Sequence, residues 1–125
     1  MDNQRASAPS GNLVISEEVI ASIAVNAAKD VEGVASLVPR PANVRTALHF
    51  GEGVQRLVNI AVADNEIRIH LYLRLKSGAK LPFVCDRVQS RVKDAVQSMT
   101  GRIVSRVDVS VLGIDFSQKM DHQEQ

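Results

Sequence analysis

The side chains that could do chemistry are few and scattered. The sequence has one cysteine, Cys85, and three histidines, His49, His70 and His122. Nucleophilic catalysis needs a nucleophile, a base in hydrogen-bond reach and a group that orients the base, and no local frame of that kind is visible around any of them. Cys85 falls within the helical arc of Val88, Val92 and Val96, which favours a small buried hydrophobe over a reactive thiolate. The histidines fall in a loop, on the polar side of a strand and near the C-terminus, without metal-ligand spacing, so no zinc site is expected. Glu17 and Glu18 suit a helix start, and Asp64 and Glu66 a hairpin turn. Neither pair shows a sign of being held dry at a shifted pKa. The expectation is no enzyme, no catalytic residue, no cofactor and no metal.

Basic residues offer two further candidates. Lys76-Ser77-Gly78-Ala79-Lys80 precedes a helix, where a phosphate could meet the helix N-terminus, but a solvated turn is the favoured reading. Arg68, His70, Tyr72 and Arg74 alternate with aliphatic residues along one strand, and Arg106 from the last strand and Arg56 could join them. That row is either the polar side that an antiparallel sheet shows to water or a binding surface for a protein. Tyr72 is the single aromatic on it, thin for stacking nucleic-acid bases.

The elements that must position these groups follow from bulk numbers and local pattern. A length of 125 residues fits one domain, and 45% hydrophobic with 23% charged residues is ordinary globular usage. Only 3% of residues are aromatic, so Val, Ile, Leu and Ala must fill the core. A net charge of +1 supplies no bulk attraction for nucleic acid or an anionic membrane. One cysteine requires no oxidising compartment, and the polar residues 1–11 lack the apolar stretch of a signal peptide. No run of apolar residues would insert into a membrane. The expected location is the cytoplasm, with any membrane contact made through a partner.

Residues 1–11 and 117–125 read as flexible tails around a single domain spanning 12–116. Residues 13–15 leave room for a short N-terminal strand. Ser16 suits an N-cap, followed by a helix with Val19, Ile20, Ile23, Ala24 and Ala27 on one side and Gly33 as its stop. A strand over 34–38 ends at Pro39 and Pro41, and an irregular stretch fills 39–53. A strand over 55–62, turn residues Asp64-Asn65 and a return strand form a hairpin. In the return strand Ile67, Ile69, Leu71, Leu73 and Leu75 alternate strictly with Arg68, His70, Tyr72 and Arg74, so one set faces a core. Pro82 opens a second helix with a stripe of Val84, Val88, Val92, Ala95, Val96 and Met99, as far as Gly101. Val107, Val109 and Val111 then face one way from a last strand, with Arg106, Asp108 and Ser110 facing the other. The predicted fold class is α+β: a two-layer sandwich of order α-β-β-β-α-β, with two helices packed on one face of a mixed sheet.

Several of these stretches resemble one family. Asn12-Leu13-Val14-Ile15-Ser16-Glu17-Glu18-Val19-Ile20 and Val31-Glu32-Gly33-Val34 are similar to the opening of the alkaline shock proteins, the envelope stress response proteins of Gram-positive bacteria. Val88-Gln89-Ser90-Arg91-Val92-Lys93-Asp94-Ala95-Val96, Met99-Thr100-Gly101 and Val107-Asp108-Val109-Ser110-Val111 resemble that family's second helix, turn and last strand. The likeness departs over 39–53, where a Pro- and Arg-containing stretch replaces a segment commonly rich in Gly and Lys. The resemblance implies a non-enzymatic cytoplasmic scaffold tied to envelope homeostasis or stress. It also implies protein partners, among them a small membrane-embedded anchor, self-association into a homo-oligomer, and no active-site residue. The alternative is a double-stranded RNA-binding module, which shares the order α-β-β-β-α. Against it, Asp86 and a single Arg87 stand where such modules concentrate basic residues.

Overall fold

The computed structural model describes residues 11–39 and 53–116. The elements are α1 (Glu17–Lys29), β1 (Val34–Leu37), a 3-10 turn (Gly53–Leu57), β2 (Val58–Ala63), β3 (Glu66–Lys76), α2 (Leu81–Thr100) and β4 (Ile103–Asp115). The order α-β-β-β-α-β stands as expected. The parts of the expected tails and of the 39–53 stretch that fall within 1–10, 40–52 and 117–125, with His49 and His122, lie outside the described residues.

β3 is the axis of the four-stranded sheet. β1 and β2 pair antiparallel with its two ends, and β4 pairs parallel along its whole length. β4 takes one edge of β3 throughout, so β1 and β2 share the other, and the sheet is mixed. The β2–β3 hairpin turns at Asp64 and Asn65, both at positive φ, the tight geometry that their small polar side chains tolerate.

Alternation in β3 sends Ile67, Ile69, Leu71, Leu73 and Leu75 under the helices, where all are fully buried. Each such side chain contributes about 1.5–3 kcal/mol on leaving water. α1 lies over β1, β2 and the 3-10 turn, while α2 lies over β4 and beside α1. Ser16 caps α1: its Oγ accepts from the Val19 amide at 3.2 Å. The buried side of α2 is Val84, Val88, Val92, Val96 and Thr100, a residue every fourth position. β-branched residues disfavour an isolated helix, so this one is held by the sheet beneath it. Gly101, at φ +73°, closes α2 in the left-handed conformation and its amide donates to the Gln97 carbonyl.

Some expectations fail. No strand forms at residues 13–15; Leu13 and Val14 stand 76% and 84% exposed. α1 ends at Lys29, before Gly33, which instead sits at φ +103° where α2 crosses: a Cβ there would lie 2.7 Å from Val84 Cγ2. The buried side of α1 is Ile20, Ala21, Ala24, Val25 and Ala28, so Val19 is left half exposed. Residues 53–57 coil into the 3-10 turn, and β2 begins only at Val58. Pro82 is the second residue of α2 rather than the first. Met99, expected in the buried stripe, is 71% exposed.

Candidate functional site

The outer face of the sheet carries the polar row. Arg68, His70, Tyr72 and Arg74 project from β3 away from the helices, and β4 places Arg106, Asp108 and Ser110 in register beside Arg68, His70 and Tyr72. The His70 and Tyr72 rings stack at 4.5 Å between centroids, inclined by 15°. His70 Nε2 and Ser110 Oγ are hydrogen bonded at 2.7 Å. Arg106 Nε donates to Asp108 Oδ1 at 3.0 Å, an exposed pair with 68% and 43% of the side chains accessible. Such a pair holds geometry and adds little stability.

Two irregularities in β4 shape this face. The pairing with β3 slips between Ile67 and Arg68 and again between Leu73 and Arg74, so Ser105 and Leu112 are extra residues in β4. The second bulge reverses the alternation. Ile114 returns to the helix side, and Gly113 faces outward beneath Arg74, where a Cβ would meet Arg74 Nη1 at 2.7 Å. Arg74 Nη2 donates to the Ile114 carbonyl at 3.3 Å, which fixes that guanidinium flat against the strand. Sequence reasoning could not see this anchor, because a glycine in a strand signals close approach but not by what.

The structure therefore brings together Arg68, His70, Tyr72, Arg74 and Arg106. It does not add Arg56, which lies in the 3-10 turn and not on a strand. The other chemical candidates stay apart. Cys85 sits on α2, on the opposite side of the sheet from His70, and is only half-buried rather than fully enclosed. Burial raises its thiol pKa, so the neutral thiol is favoured. Among the described residues no three His, Cys, Asp or Glu side chains come close enough to hold a metal ion. No helix among them is long and apolar enough to cross a membrane.

One grouping was missed from sequence. A groove of about 540 Å³ at the start of α2 brings Lys76, Lys80 and Arg87 together with Glu32 and Phe83. Arg87 stands one turn beyond Phe83 and over its ring, 5.6 Å from the centroid. The sequence showed the two lysines but not that Arg87 faces the same groove.

A mixed sheet with two helices on one side and a polar row on the other defines an α+β sandwich with an open sheet face. The backbone is similar to two solved forms of MamM CTD. One, a copper form, has TM-score 0.51 at 16% identity over 80% of this chain and 100% of that one. The other has TM-score 0.51 at 15% identity over 80% and 100%. At that identity the likeness concerns the fold alone, and the copper belongs to that protein. The chain belongs to the alkaline shock protein 23 family, described by a cell envelope-related function, which matches residues 5–116. It is 29% identical to YqhY of Bacillus subtilis over 87% of this chain and 81% of that protein. It is 30% identical to YloU of the same organism over 83% and 88%. With Spy1535 of Streptococcus pyogenes the identity is 33% over 83% and 79%.

Proposed function

We propose that this protein is a non-enzymatic assembly module of the cell envelope, working in the cytoplasm. It docks a protein partner on the outer face of its sheet and associates with copies of itself. The observation that carries the reading is the open face itself: Arg68, Arg74 and Arg106 surround the stacked His70–Tyr72 pair, and Asp108, in register beside His70, is already paired with Arg106. Arg68 is exposed and Arg74 is pinned, so the surface offers a guanidinium at each end of a flat aromatic platform. Such a face suits an acidic protein segment, since arginine and tyrosine supply much of the energy at protein interfaces. The scattered Cys85 and His70, on opposite sides of the sheet, support a surface used for contact and not for turnover. An envelope role with no spanning helix among the described residues is met by a small membrane-embedded partner that holds the module at the membrane.

The test is capture from a detergent-solubilised membrane fraction with wild type and with the paired reversal Arg68→Glu/Arg74→Glu. Wild type retains a small integral membrane protein and the reversal loses it. Equal recovery by both, or by neither, rejects the docking face. A gel shift with double-stranded RNA that weakens steeply with salt would transfer the face to nucleic acid.

A further inference from the structure

The outer edge of β4 is closed along one half and open along the other. From α2, Gln97 Oε1 accepts from the Val104 amide at 3.0 Å, and Gln89 Nε2 donates to the Val107 carbonyl at 3.1 Å. Gln89 is exposed, so it reaches that carbonyl from the side away from β3. Backbone groups alternate sides along a strand, so those of Val109 and Val111 point the same way as the Val107 carbonyl. Among the described residues no strand pairs with that edge. Burial changes along with the hydrogen bonding. Ile69, Leu71 and Leu73 of β3 are fully buried, whereas their register neighbours Val107, Val109 and Val111 are only half-buried on the same side.

We infer that a second copy of this chain covers this edge, its β4 pairing antiparallel with β4 about a two-fold axis through Val109. The inference gives a surface to the self-association within the reading above. The covering strand must present an aliphatic residue at every second position on the helix side and small polar groups on the other, with no bulge. Residues 107–111 of β4, within the stretch bounded by the extra residues Ser105 and Leu112, are such a strand, and a two-fold axis keeps like faces together. An axis through Val107 would run into Ser105, whereas the Val109 axis has the Val107 carbonyl accept from the Val111 amide of the second copy as well as from Gln89, which its two lone pairs allow. One through Val111 would run into Leu112, and one through Asp108 would set that carboxylate against its own copy. The Val109 axis leaves Val107 facing Val111 of the second copy on the helix side and Asp108 facing its Ser110 on the outer side. Because the paired run is short, the dimer is weak and concentration-dependent. It joins two sheets into one and doubles the basic face.

Ser110 separates this arrangement from others, since it lies on the outer face. Facing Asp108 of the second copy, Ser110→Asp weakens the dimer and Ser110→Lys tightens it, each by about five- to tenfold in dissociation constant by sedimentation equilibrium. A hydrogen-bonded antiparallel pair spaces its Cα atoms by about 5.5 Å, within disulfide reach. In a Cys85→Ser background, Val109→Cys therefore crosslinks to its own copy under mild oxidation and Arg106→Cys does not. A dimer unmoved by either Ser110 variant, with no Val109→Cys crosslink, rejects this edge while self-association stands. A wild type monomeric at every concentration rejects both. A monomer that dimerises only after removal of residues 117–125 assigns the edge to the chain's own terminal segment and likewise overturns the inference. Membrane capture through Arg68 and Arg74 is read separately and is untouched by these results.

Discussion

β3 and β4 run side by side with the same alternation of aliphatic and polar residues, and they end in different physical situations. Ile67, Ile69, Leu71, Leu73 and Leu75 of β3 are sealed between two neighbouring edges and two helices. Among the described residues, Val107, Val109 and Val111 of β4 have a strand on one side only and α2 over them, and they stay half-buried. The same pattern thus yields a core in one strand and a rim in the next. Periodicity decides which residues share a face, while place in the sheet decides how far that face leaves water.

The contrast can be broken by truncation. The largest effect is expected at the centre: Leu71→Ala lowers unfolding free energy by about 2–5 kcal/mol in chemical denaturation, through lost transfer energy and a cavity that the sheet cannot close. Val109→Ala, at the rim, costs about 1 kcal/mol in dilute solution, since its side chain is only part-way out of water. If a second copy covers β4, that cost grows as protein concentration rises, whereas the cost at Leu71 does not. Equal costs at both positions under all conditions would erase the distinction between centre and rim. The smallest effect concerns Cys85. Its raised thiol pKa predicts slower alkylation at neutral pH in the folded protein than in the unfolded chain. The unfolded chain loses this proton first, so the contribution of Cys85 to stability falls as pH rises above the free thiol range. A Cys85→Ser variant should lack that alkaline decline.

Much of the fold was legible because it is written in short periods. The strict alternation in β3 admits one reading, and Asp64-Asn65 supports one tight turn. Gly101 closes α2 because a left-handed residue is needed there. The errors fall where the pattern permits more than one choice. α1 carries Val, Ile or Ala at Val19, Ile20, Ala21, Ile23, Ala24, Val25, Ala27 and Ala28, nearly all round, so its buried side was set by what it packs on. Leu13-Val14-Ile15 has strand-like composition but finds no edge among the described residues. Met99 continues the α2 stripe in spacing, yet the row that meets the sheet runs through Val96 to Thr100, and Met99 lies beside it in an open groove against Val19 and Ile23 of α1.

For the candidate site, the outward row Arg68, His70, Tyr72 and Arg74 followed from the alternation, and the sequence suggested Arg106 beside it. What the row does depends on separations in the chain that no local pattern reports. The bond from His70 to Ser110 and the anchoring of Arg74 at Ile114 over Gly113 each join segments 40 residues apart.

The amino-acid sequence alone determined the element order, the two-sidedness of β3 and the absence of a local catalytic frame, because these rest on backbone preferences and on side-chain period over a few residues. The tertiary structure alone decided that β4 lies parallel at an edge, that two bulges reverse its faces, and that glutamines from α2 close half of that edge. Those features arise when elements far apart in the chain compete for the same space and the same hydrogen bonds, and a single strand or helix carries no record of that competition.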